Sequence, residues 1–277
     1  MDNITLARAH HEWAAKQAGL RITPSGYMSW LQYVRVTVEN AKLLLSSNVP
    51  PRSQCVTETL QALACFDVPP RYVSDSLLSA WLHTDVPNLT WNRPYVLPGY
   101  VLFFPLGDHS VKIDGRTLLA MLVLNKHEGL VAIPVTQVWS SGQWNVGLCD
   151  ILLMPPGYNY KSPDVNEAAK LIAKLAINSW YTHLHEPELI TTDPVRPVGG
   201  SGFGRRGKQA RSPIAPTWIG RDFKLQRQQS SAGAGEGRLS VRPHWRSGHW
   251  HTVRYGKGRE HTRTQWYRPV YVNASTE

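Results

Sequence analysis

Apolar positions change their spacing along this chain, and each change marks a different kind of structure. They recur first at helical intervals. Ile4, Ala7, His11, Ala14 and Ala15 share a face over residues 4–18, and Trp30, Leu31, Val34, Val38, Ala41 and Leu45 form a stripe over 27–46. Thr23-Pro24-Ser25-Gly26 separates the two, and Pro50-Pro51 ends the second. Shorter helices are predicted over 53–65 and 73–82, on either side of Pro69-Pro70. From Tyr95 the pattern becomes short apolar runs bounded by Gly, Pro and Asn. YVLPGYVLFFPL, TLLAMLVLN, GLVAIPVTQVW and NVGLCDILLM predict buried strands, with a turn at Lys126–Gly129. Helical spacing returns over 164–183, behind Pro163. Asp164 and Glu167 have the separation of a reciprocal N-terminal cap, and Ala168, Ile172, Leu175 and Trp180 form the side expected to be buried. Helices, then strands, then a helix predict an α+β body over 1–190 whose first part is mainly helical.

A third pattern follows. Residues 191–237 are rich in Gly, Pro, Ser and Arg and read as a linker, with a short ordered island at 216–225 (PTWIGRDFKL) that Trp218, Ile219 and Phe223 could pin to the body. Residues 238–277 form a basic, aromatic β-rich module. There His249, His251, Val253 and Tyr255 alternate with Trp250, Thr252 and Arg254, so the two sets occupy opposite faces of a strand. Gly256-Lys257-Gly258 predicts a turn back into a second strand over 259–267, and Val270–Val272 a final one.

Charge sharpens this division. Residues 196–277 hold sixteen Lys and Arg against four Asp and Glu, a net +12, which leaves −2 for residues 1–195 out of a total of +10. A near-neutral body with a basic end suits a polyanionic partner. Cys55, Cys65 and Cys149 are odd in number and lack CxxC spacing, so neither a disulfide framework nor a thiolate zinc site is expected, and a reducing cytoplasm is the natural compartment. The N-terminal MDNITLARAHHEWAAK is amphipathic and polar, unlike a signal peptide, and no apolar run approaches the roughly 20 residues a membrane helix needs.

Several motifs invite chemistry. Gly202-Phe203-Gly204-Arg205-Arg206-Gly207-Lys208 matches the start of a phosphate-binding loop, but Gln209 replaces its Ser or Thr, and no strand precedes it; a phosphate-tracking arm fits better. Asp108-His109-Ser110 sits beside Gly107 and reads as a turn rather than a triad. His183 and His185 read as surface or cap histidines of their helix. The C-terminal module carries the strongest signal. Aromatic rings stack on bases, guanidinium groups pair with phosphates, and imidazoles move protons near neutral pH. His244, Arg246, Trp250, Tyr255, Arg259, Arg263 and Trp266 are the expected RNA contacts. His249, His251 and Arg254 are the candidates for metal-independent RNA cleavage, as base, acid and electrostatic stabiliser. No cofactor or metal is expected. Composition does not separate binding from cleavage.

The order of residues in this region carries a resemblance. Trp218-Ile219-Gly220 is followed, after a spacer, by Arg242-Pro243-His244, Arg246, His249-Trp250-His251 and Arg254, then Trp266, Pro269, Val272 and Asn273. This arrangement, over residues 218–273, resembles a family of plasmid and phage proteins that includes a type V anti-CRISPR protein. The resemblance implies that such a protein recognises a nascent polypeptide and provokes destruction of the encoding mRNA, so that the level of the target nuclease falls. On this view the partners are mRNA or ribosomal RNA together with a protein or nascent-peptide target, without a membrane. The alternatives are a metal-free, toxin-like ribonuclease and a non-catalytic protein-binding module.

Overall fold

The computed structural model describes residues 25–30, 32–34, 37, 70–87, 99–126, 128–140, 143–148, 152–192, 217–228 and 242–272. In chain order the body comprises β1 (Arg71–Val73), α1 (Asp75–Leu82), β2 (Thr84–Asp85), β3 (Tyr100–Phe103), β4 (Lys112–Ile113), β5 (Arg116–Lys126), β6 (Gly129–Ser140), β7 (Gln143–Leu148), β8 (Leu152–Met154) and α2 (Glu167–His185). There follow β9 (Ile190–Thr192), β10 (Thr217–Ile219), β11 (Gln226–Gln228), β12 (His244–Arg246), β13 (Gly248–Tyr255), β14 (His261–Tyr267) and β15 (Val270–Val272).

Nine strands form one sheet in the order β7-β6-β5-β3-β1-β10-β9, with β4 paired to β5 and β8 to β6. β1 runs parallel to β3 and β10; the other neighbours are antiparallel. The long runs of β5 and β6 are apolar at nearly every position because both sheet faces are covered. On one face Tyr100, Leu102, Met121 and Val123 join a core with Leu77 and Trp81 of α1 and Leu175 and Trp180 of α2. On the other, Val101, Phe103, Leu122 and Val131 pack with Met28, Tyr33 and Val34. Two small sheets, β11-β15-β12 and β14-β13-β2, complete the described structure.

The described residues form a mixed α and β fold in which strands dominate, so the expected mainly helical first part is not supported. Of the helices expected there, residues 73–82 divide into the end of β1 and α1, because Tyr72 and Val73 are wholly buried and paired in the sheet. The stripe over 27–46 is described only in part, with helical backbone at Trp30, 32–34 and Thr37. The helices expected over 4–18 and 53–65, all three cysteines and the Gly202–Lys208 loop lie outside the described residues.

The apolar runs do form β3, β5, β6, β7 and β8. α2 begins later than its charge pattern implied. Its N-cap is Asn166, whose side-chain oxygen accepts from Ala169 N at 2.7 Å, instead of the expected Asp164 and Glu167 pair. The island at 216–225 enters the large sheet as β10, between β1 and β9, with Ile219 fully buried. Asp108–Ser110 lies in a turn, with Ser110 N donating to Gly107 O at 3.0 Å.

Candidate nucleic-acid interface

The C-terminal hairpin is built by two-residue alternation. β13 and β14 pair antiparallel from His249 opposite Tyr267 to Tyr255 opposite His261. The turn is longer than Gly256–Gly258. Gly256 (φ 89°), Gly258 (φ 78°) and Arg259 (φ 58°) all take left-handed conformations, and Arg259 N donates to Gly256 O at 3.1 Å. The returning strand therefore starts at His261, two residues later than expected, and Arg259 sits in the turn.

One face of the hairpin is anchored in the core. Trp250 and Trp266 face each other across the strands, stacked with centroids 5.4 Å apart at 14°. Trp250 Nε1 donates to Asn178 Oδ1 of α2 at 2.8 Å, and Trp266 Nε1 to Thr84 Oγ1 of β2 at 3.2 Å. Phe223 stacks on Trp266 at 5.6 Å and 14°, which extends the ring stack to the former linker island. Arg268 lies 5.6 Å over Trp266 and donates to Glu186 Oε2 at 2.8 Å. Burial pushes the Glu186 carboxyl up, while Arg268 opposes that shift. Gly248 N donates to His83 O at 2.9 Å, where β13 begins its parallel pairing with β2. The base of the hairpin is thereby held on three sides.

This anchoring corrects the expectation for both tryptophans. Trp250 is 6% exposed and Trp266 4%, with ring faces and indole N–H groups occupied. No nucleobase can stack there without undoing the core.

The opposite face points outward. His249 stacks on Tyr267 with centroids 5.1 Å apart at 11°. His251 lies 6.4 Å from His249 and 6.1 Å from Tyr267. Further along, Arg263 lies 5.7 Å over Tyr255 and donates to Gln265 Oε1 at 3.5 Å, and Tyr255 contacts His261 at 5.5 Å. Tyr255 and Tyr267 are 48% and 45% exposed, unusual for rings of their size.

Of the expected site residues, this face brings together His249, His251, Tyr255 and Arg263. Arg254 is opposite Thr262, one residue out of phase, so it belongs to the other face and does not share one with the two histidines. Arg263 is the guanidinium that does. His244 and Arg246 are exposed on β12 in the neighbouring small sheet, with His244 Nδ1 donating to Arg242 O at 3.0 Å. Tyr267, His261 and Gln265 were missed. Their signal was the hairpin register, which places them across from His249, Tyr255 and His251.

Outside the hairpin, His183 is not at the helix surface. Its Nδ1 donates to Ser179 O at 2.7 Å, so Nε2 is free to accept from Arg71 Nη1, and its ring stacks on Tyr100 at 4.4 Å. Burial, and secondarily Arg71, lower its pKa from 6.5 to about 3. Among the described residues no three His, Cys, Asp or Glu side chains gather closely enough to hold a metal ion, and no helix is long and apolar enough to cross a membrane.

Apart from β2, the elements that build this site lie between the end of β8 and the end of the hairpin, with α2, β9 and β10 among them. Residues 154–274 match the model of the AcrVA2-like family, the anti-CRISPR type V subtype A2 family. The AcrVA2-like match is wider than the C-terminal pattern alone: it includes Asn178 and Glu186, which hold the hairpin, as well as the hairpin itself. This part of the chain is anti-CRISPR-like. No curated protein matches the chain.

Proposed function

We propose that this protein is an anti-CRISPR-type regulator from a mobile element that lowers its target's expression at the RNA level. The outward face of the β13–β14 hairpin contacts RNA, mRNA or ribosomal RNA, and the body outside the matched segment recognises a protein or nascent-peptide target. The observation that carries this reading is the separation of roles within the hairpin. Two indoles lock one face onto α2 and β2, while His249, His251, Tyr255, Arg263 and Tyr267 are left on a fixed, solvent-facing surface. Preorganised aromatic and cationic groups are what base stacking and phosphate pairing require. The AcrVA2-like match supports the anti-CRISPR part of the reading.

The test is co-expression with a candidate target nuclease, following its transcript. The wild type is expected to deplete that transcript, and a His249→Ala/Arg263→Glu/Tyr267→Ala variant of equal abundance to leave it intact. Equal depletion by the variant would remove this face from the mechanism.

A second reading is metal-free cleavage, favoured by two imidazoles 6.4 Å apart on one open face. One histidine would take the 2′-OH proton as O2′ attacks phosphorus, and the other would protonate the departing 5′ oxygen, leaving a cyclic phosphate. It predicts EDTA-resistant cyclic-phosphate ends that disappear in His249→Ala and His251→Ala. Intact RNA after prolonged incubation with the wild type would dismiss it.

A further inference from the structure

The two small sheets share more than adjacency. Trp245 pairs with Tyr271 across β12 and β15, and His249 pairs with Tyr267 across β13 and β14. Each strand advances by four residues between these pairs, so the register is unbroken from His244 opposite Val272 to Tyr255 opposite His261. The ladder is interrupted only where Pro269 lacks an N–H and where Gly248 lets the strands close; a Cβ there would lie 2.6 Å from Pro269 Cδ. The two antiparallel ladders therefore keep one register offset on either side of the break at Gly248 and Pro269.

A shared register sets which side chains have the same alternation phase. Carried across the break, two-residue alternation gives Trp245 and Tyr271 the phase of His249 and Tyr267, although on β12 His244 and Arg246 are exposed and Trp245 is half-buried. The flanking strands add to this set. β2 sets Asp85 beside His249, and two residues earlier His83 stacks on Trp245 with centroids 4.1 Å apart at 17°. His83 is held in place because its Nδ1 donates to Ser79 O at 2.8 Å. β11 places Arg227 beside Tyr271. Asp85, the acid on this face, is already paired with Lys161 at 3.2 Å.

We propose that this face is a continuous track for single-stranded RNA, running from Tyr255 and Arg263 past Tyr267 to a second stacking station made by Trp245 and Tyr271, with His83 behind and Arg227 beside it. This rests on the RNA reading above and extends it to residues of the neighbouring sheet. Trp245 takes the role that Trp250 and Trp266 cannot, since it is only half-buried. From Trp245 to Tyr255 the track is about 33 Å long at ~3.3 Å per residue, longer than one stacked pair serves. Cations at each end with rings between them form the arrangement that holds an extended strand. Rings standing on a ladder reach base faces only when bases are unstacked, which selects single strands over duplex.

The test uses the full-length protein and a 4-thiouridine-substituted RNA of about 12 nucleotides. Photocrosslinks mapped by mass spectrometry are expected at both stations, at Trp245 or Tyr271 as well as His249 or Tyr267. Trp245→Ala should weaken binding about ten-fold, the loss of one stacked base, and exposed Arg227→Glu should weaken it without altering the melting temperature. Crosslinks confined to 249–267, with Arg227→Glu binding like wild type, would overturn the extended track and leave the hairpin reading intact. Duplex RNA competing as well as single strand would overturn the single-strand selection. Absence of any binding or crosslink would overturn the RNA reading and this proposal together.

Discussion

At the scale of single residues, neighbouring aromatic side chains have opposite duties. Trp250 is inside and bonded to Asn178; His249 and Tyr267 are outside. Trp250→Ala is therefore expected to cost about 3–5 kcal/mol in chemical denaturation, whereas Tyr267→Ala costs under about 1 kcal/mol. A similar loss for both would mean the hairpin is not anchored by that face. Sequence alternation separated the two sets, yet it could not say which set turned inward. That choice is made by partners distant in the chain, Asn178 and Thr84. His183 was misjudged for the same reason, because its acceptor role toward Arg71 depends on a contact 112 residues away. With its folded pKa held near 3 and an ordinary value of 6.5 when unfolded, His183 supports the fold fully above pH 6.5. That support is lost as pH falls towards 3, by up to about 1.4 kcal/mol per pH unit, since only the unfolded chain takes the proton. Denaturation at pH 7 and pH 5 should show a smaller pH effect in His183→Gln. An unchanged pH effect would assign the acid sensitivity elsewhere.

At the scale of elements, the legible features were those with strong local patterns. The apolar runs of β5 and β6 and the alternation of β13 were readable because many residues repeat one period. Three-residue strands such as β1 and β10 carry too few positions to show a period, and their place in the large sheet comes from pairing with each other. A short piece within the expected linker, the island at 216–225, could thus become an interior strand. The break at Gly248 was also invisible, because it depends on Pro269 and Tyr267 O of the opposite strand. Gly248→Ala should force the strands apart at a cost of about 1–3 kcal/mol. Hydrogen exchange should then quicken in β12 to β15 ahead of β5 and β6; uniform protection throughout would show that the strands tolerate a side chain there.

At the scale of the molecule, the described β13–β14 hairpin is fastened to the body through Asn178 and Thr84. The charge it carries is displayed from a fixed platform, and its two faces can be told apart by mutation. Arg263 shares the face with His249 and His251, while Arg254 lies on the other. Loss of one phosphate contact lowers the dependence of log K on log salt by roughly 0.7 for a single strand. The most direct measurement is the affinity of the purified protein for single-stranded RNA across a salt series, comparing wild type, Arg263→Ala and Arg254→Ala. Binding is expected to be salt-sensitive, weakened and with a shallower slope in Arg263→Ala, and closer to wild type in Arg254→Ala. No binding at low salt, or equal effects from both arginines, would contradict the claim that the outward face of this hairpin is where RNA is held.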